Sequence, residues 1–135
     1  MLQAYKYGNT AKPKAVISFF GPTDFTYLYN NPGMPIVPTL LATIIGATPT
    51  QNAALYNSYS PINFVTAQSA HTLLLQGGKD ELVPPAQATR LVTKLNDAGV
   101  PNEYVFYPTE GHSWTGPNLD DSFNKVEAFI RKHVP

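Results

Sequence analysis

The sequence contains no cysteine. That excludes a disulfide framework, a thiolate nucleophile and cysteine-ligated metal. Charge is nearly as scarce. Asp, Glu, Lys and Arg make up 13% of the 135 residues, nine acidic against nine basic, for a net charge of +0. No Lys/Arg cluster marks a face that could track phosphates, which argues against a nucleic-acid partner. No apolar run approaches the roughly 18 residues that a membrane span needs. The opening stretch Met1–Tyr7 lacks the basic, apolar and cleavage regions of a signal peptide. In a fragment any such leader would lie upstream, so the compartment stays open. Three histidines in unrelated settings and the absence of cysteine argue against zinc, and neither metal nor cofactor is expected. With so few charges, Ser, Thr, Asn and Gln must cover much of the surface, and an apolar remainder suits a partner.

What is present is the makings of one domain with a real core: 43% hydrophobic and 12% aromatic residues. The 13 prolines are dispersed, so they punctuate elements and form no linker. Residues 1–7 read as the last turns of a helix, with Gly8 placed to close it in the left-handed conformation. Lys14–Phe20 is an almost unbroken apolar run ending at Gly21-Pro22, the pattern of a strand buried on both faces of a parallel sheet. Residues 25–60 form a tyrosine-rich excursion. Within it, Val37–Ile45 reads as a short helix stopped by Gly46. Thr48-Pro49-Thr50-Gln51 fits a capping box, predicting a helix from Pro49 to about Tyr56.

A second buried strand is predicted over Thr72–Gly77. Ala88, Leu91, Val92, Leu95 and Ala98 then recur at helical spacing, with Gly99 where a C-terminal glycine belongs. Glu103–Pro108 is the third strand, rich in β-branched and aromatic residues. Leu119, Phe123, Val126, Phe129 and Ile130 make the stripe of a last helix. Asp120 and Asp121 sit early in it and Arg131, Lys132 and His133 late, which suits the helix dipole. Strands alternating with helices mean an α/β fold with about three parallel strands, 14–20, 72–77 and 103–108, flanked by helices.

Ligands of open α/β sheets sit at the carboxyl ends of the strands, so the loops there carry the chemistry. One is Gly77-Gly78-Lys79-Asp80-Glu81-Leu82-Val83-Pro84-Pro85. The other is Tyr107-Pro108-Thr109-Glu110-Gly111-His112-Ser113-Trp114. The acid of the first precedes the histidine of the second by 32 positions, with a strand–helix–strand unit between them. This order, together with Gly21-Pro22-Thr23-Asp24 after the first strand and Ser60-Pro61 after a capped helix, resembles the last third of the α/β-hydrolase fold. It is most similar to the esterase and lipase branch that includes feruloyl-esterase-like and hormone-sensitive-lipase-like enzymes. The resemblance covers essentially the whole chain.

It implies that Asp80 is the acid and His112 the general base of a Ser-Asp-His triad. The chemistry fits: an imidazole near neutral pKa relays the serine proton, and a carboxylate on its other nitrogen fixes the tautomer. Gly111 lets the backbone turn so that the ring is presented. Trp114 either lines the substrate pocket or packs beside the histidine loop. Met34–Ile45 lies where such enzymes insert substrate-covering elements, although a plain buried helix explains it equally. Asp24 is expected to structure its loop, Glu81 and Glu110 to be exposed or supporting groups, and His71 and His133 to have no part in the site.

The nucleophile elbow Gly-x-Ser-x-Gly does not occur in the sequence, and neither does a His-Gly-Gly-Gly oxyanion loop. The resemblance therefore implies one partial domain, residues 1–135, that begins shortly after the nucleophile. The expected protein is a fragment of a serine carboxylic-ester hydrolase, inactive alone. The expected substrate is a small ester, once an N-terminal half completes the site. A prolyl-oligopeptidase-like peptidase fragment is the near alternative, and a non-catalytic self-associating remnant the distant one. Strand 15–20 would be left as a bare edge, suited to a second copy of the chain or to a complementing chain.

Overall fold

The structure is a computed structural model that describes residues 1–7 and 13–134. The three expected strands are β1 (Ala15–Phe19), β2 (His71–Gly77) and β3 (Asn102–Tyr107), all parallel, in the order β1-β2-β3. Register places Ile17 beside Leu73 and Leu73 beside Glu103. Among the described residues six helices accompany them: α1 (Leu2–Tyr5), α2 (Phe25–Asn30), α3 (Val37–Ile45), α4 (Ala53–Tyr59), α5 (Ala86–Asp97) and α6 (Pro117–His133), with a 3₁₀ turn at Pro61–Phe64.

The central strand explains the architecture. Residues 72–77 of β2 are all buried, because side chains alternate between the two faces and both faces are covered. Leu74 faces α5, packing with Leu91, Leu95 and Val100. Leu73 and Leu75 face α6, packing with Phe129 and Trp114. Each buried leucine contributes about 2 kcal/mol through the water it sheds. Leu28, Val37 and Leu41 form a satellite core under the excursion. Asp24 structures its loop as expected: it caps α2 by accepting from Tyr27 N at 2.9 Å and pairs with Arg90 at 2.8 Å. Gln87 braces the same turn, accepting from Thr23 N and Asp24 N.

Several expectations need correction. The capping box forms, with Thr48 N donating to Gln51 Oε1 at 2.8 Å, but it closes only a turn. Asn52 accepts from Leu55 N and starts α4 at Ala53, so the helix runs to Tyr59 and not from Pro49 to Tyr56. In α6, Phe123 and Ile130 are exposed (58% and 42%), while Ser122 and Phe129 are buried. The inward face is Leu119, Ser122, Val126 and Phe129 because Ser122 has polar partners waiting beneath it. The expected C-terminal glycine Gly8 lies outside the described residues. Gly46 and Gly99 do adopt positive φ, +84° and +69°.

His71 and His133 are not unrelated. Their Nδ1 atoms lie 2.7 Å apart, joining the start of β2 to the end of α6 at the sheet end remote from Asp80 and His112. One proton serves that bond, so both rings cannot be charged without breaking it. Burial first, then the charge of His71 and of Lys132, holds the His133 pKa below 6.5, with Glu103 opposing. The unfolded chain thus binds more protons near its own histidine pKa than the native state does. The contribution is present above about pH 6.5 and is lost as the pH falls through the depressed native value. Melting temperature should therefore drop between about pH 7.5 and about pH 5.5 more in the native sequence than in His133→Gln. Equal slopes for the two in thermal melts would refute this.

Candidate active site

Asp80 and His112 meet beyond the carboxyl ends of β2 and β3. Asp80 is buried, with a fully covered side chain. Its Oδ1 accepts from Leu82 N at 3.0 Å and Val83 N at 2.8 Å. Its Oδ2 has Gln76 Nε2 at 3.2 Å and His112 Nδ1 at 2.9 Å. An ionised carboxylate only accepts, so the neutral ring carries its proton on Nδ1 and keeps a free lone pair on Nε2. The His112 side chain is 39% exposed. A covered acid behind a reachable imidazole can orient the ring, hold the imidazolium when a proton arrives, and leave Nε2 to take that proton.

Glycine allows this meeting. Gly78 N donates to Tyr107 O and Lys79 N to Glu110 O, both at 2.8 Å, so the two loops run in contact. A Cβ at Gly77 would overlap Gly111 O and lie 2.6 Å from Glu110 O. A Cβ at Gly78 would lie 2.7 Å from Pro108 O. No larger residue permits the approach without moving backbone.

The histidine loop is anchored from behind. Trp114 is buried, its Nε1 donating to Ser122 Oγ at 2.8 Å. Ser122 Oγ also reaches Asn118 O (2.7 Å) and the Tyr107 hydroxyl (3.0 Å), and Tyr107 donates to Asp121 Oδ2 at 2.9 Å. Burial, with the Asp121 carboxylate adding to it, raises the Tyr107 pKa, so the phenol remains a donor. Trp114 reaches His112 through Phe20, whose ring centroid lies 5.3 Å from Trp114 and 4.7 Å from His112. Glu110 accepts from Asn118 Nδ2 at 2.6 Å and ties the loop to α6; Glu81 is exposed.

Three members of this environment escaped sequence reasoning: Gln76, Phe20 and Ser122. Phe20 has φ +43°, the one positive value at a non-glycine among the described residues, and its N–H bonds to Leu75 O. Such backbone strain gathers near functional sites. No pattern in the sequence marks it, and only the polar breaks at Gln76 and Ser122 in apolar surroundings could have signalled the other two. Among the described residues His112 bonds to Asp80 alone, and no serine completes the set.

Parallel strands covered on both faces, with loops converging at their carboxyl ends, place the chain in the α/β-hydrolase class. A family model described as BD-FAE matches residues 2–95, and the chain belongs to that family. Asp80 lies inside the matched stretch and His112 beyond it. Esterase LipQ of Mycobacterium tuberculosis is 28% identical over 102 residues, covering 75% of this chain and 24% of that protein. A truncated form of a carbohydrate esterase from gut microbiota superposes with TM-score 0.71 at 25% identity, over 91% of this chain and 43% of that one. A puromycin-hydrolyzing peptidase of M. tuberculosis superposes with TM-score 0.76 at 26% identity, over 90% of this chain and 18% of that one. The chain thus spans less than half the length of each.

Proposed function

We propose that Asp80 and His112 are the acid and general base of a serine-hydrolase relay that cleaves carboxylic esters. The observation that carries this is the covered Asp80 carboxylate bonded to Nδ1 of the reachable His112 ring. The 135 residues contain no Gly-x-Ser-x-Gly, so the nucleophile and oxyanion donors come from another segment or chain. Resemblance to esterases favours an ester substrate. The likeness to a puromycin-hydrolyzing peptidase supports amide cleavage as the second reading. Trp114 shapes the substrate side indirectly, through the ring of Phe20.

The completing segment docks on β1, which among the described residues has a strand neighbour on one side only. Beside that edge runs a groove of about 360 Å³ lined by Leu2, Ile17, Phe19, Phe25 and Tyr59. Unpaired strand edges flanked by apolar surface recruit another strand, whether from a nucleophile-bearing segment or from a second copy.

The chain alone is expected to resist labelling by a fluorophosphonate and to hydrolyse p-nitrophenyl acetate no faster than free histidine does. Joined to a segment that supplies the elbow, it should label on that serine and turn over the ester in preference to the matching anilide. Labelling of a serine within residues 1–135, or a completed chain with no turnover, would overturn the proposal.

A further inference from the structure

Gln76 interrupts the apolar run of β2, at a position 1% exposed where leucine would fit the strand pattern. A buried carboxamide costs free energy unless its polar atoms are bonded, so its presence needs a reason. Its Nε2 lies 3.2 Å from Gly77 O, 3.2 Å from Asp80 Oδ2 and 3.1 Å from Val83 O. All three are acceptors, which settles the orientation of the amide: the NH₂ end faces the loop. The three atoms belong to the first, middle and last parts of the acid loop. The loop closes around one side-chain nitrogen.

We infer that Gln76 is a positioning residue for the Asp80–His112 pair. This rests on reading that pair as the relay. Oδ1 of Asp80 is held by two backbone N–H groups and Oδ2 by Gln76 and His112, whose Nδ1 lies 2.9 Å from Oδ2 and 3.2 Å from Oδ1. Donors on both oxygens stop the carboxylate rotating about its own bond, so Oδ2 stays aimed at Nδ1 of His112. The amide is neutral, so it bonds to the carboxylate without competing for the ring's charge. Without it, Oδ2 has His112 as its only donor, and the plane of the carboxylate is set from the Oδ1 side alone. The fraction of His112 carrying its proton on Nδ1, the tautomer a general base needs, then falls.

The test is nuclear magnetic resonance on the full chain with ¹⁵N-labelled histidine, reading the Nδ1–H resonance and the ¹⁵N tautomer pattern of His112. Gln76→Met keeps size and removes the donor; it is expected to cut the ratio of Nδ1–H to Nε2–H tautomer about tenfold. Gln76→Glu, which aims an acceptor at three acceptors, should disturb the pattern further. Gln87→Met is the matched control, a buried glutamine that braces the Thr23–Asp24 turn. It should destabilise the chain and leave the His112 pattern in place. An unchanged pattern in Gln76→Met, or an equal change in Gln87→Met, overturns the inference. Should the Gln76 variants not fold, the native chain decides: the Gln76 side-chain amide protons must be protected from exchange and must shift as His112 titrates, and failure of either refutes it. Asp80→Asn separates the two ideas. If it leaves the His112 pattern untouched, the relay reading itself fails; if it alone moves the pattern, only the role of Gln76 does.

Discussion

If Asp80 and His112 form the proposed relay, Asp80→Asn is expected to lower ester turnover of the completed chain about ten-thousandfold while leaving the fold in place. The reason lies in the donors around the carboxylate. Leu82 N and Val83 N both point at Oδ1, so the amide oxygen of asparagine must take that position. Its NH₂ group then occupies the place of Oδ2, facing Gln76 Nε2 and His112 Nδ1. A donor now meets a donor on the imidazole, and the ring escapes by moving its proton to Nε2. In the proposed relay that nitrogen accepts the serine proton, so the base would be lost although every atom is nearly where it was. Initial rates with p-nitrophenyl acetate across pH, alongside a thermal melt, measure both parts. A loss of less than tenfold would show that Asp80 does not set the tautomer.

The elements that place this pair were readable in the sequence for physical reasons. The leucines of β2 signal a strand buried on both faces, and Gly77-Gly78 mark where chain must approach closely; Gly111, expected to turn the chain, has ordinary φ and room for a Cβ, with Lys79 O 3.9 Å away. Asp80 and His112 fall just past two such strands, which is where an α/β sheet offers its open end. What could not be read depends on register. The bond between His71 and His133 spans 62 positions and exists only because β2 begins where α6 ends. The inward turn of Ser122 depends on Trp114 and Tyr107 lying under α6, and no helical period predicts a serine in preference to Phe123. The start of α4 was a local contest. Thr48 and Asn52 are both good caps, and the box closed by Gln51 completed a turn that left Asn52 to begin the helix.

The largest structural effect is expected from the smallest addition, Gly77→Ala. The methyl group would overlap Gly111 O and crowd Glu110 O, and neither is the flexible tip of a side chain. Backbone must therefore move, and the segment that moves is the one that presents His112. Overpacking of this kind costs about 3 kcal/mol. It should also part the loops joined by Gly78 N to Tyr107 O and Lys79 N to Glu110 O, taking Asp80 out of reach of His112. Gly46→Ala provides the contrast. That glycine needs its left-handed φ of +84° but has open space around it, so alanine there incurs only the conformational cost of about 1 kcal/mol. Denaturant melts of both variants, with the His112 Nδ1–H resonance followed in each, separate the two effects. Gly77→Ala should lose stability and resonance together, Gly46→Ala a little stability alone. A Gly77→Ala chain that keeps the resonance at near-native stability would mean that the two loops can part without separating acid from base.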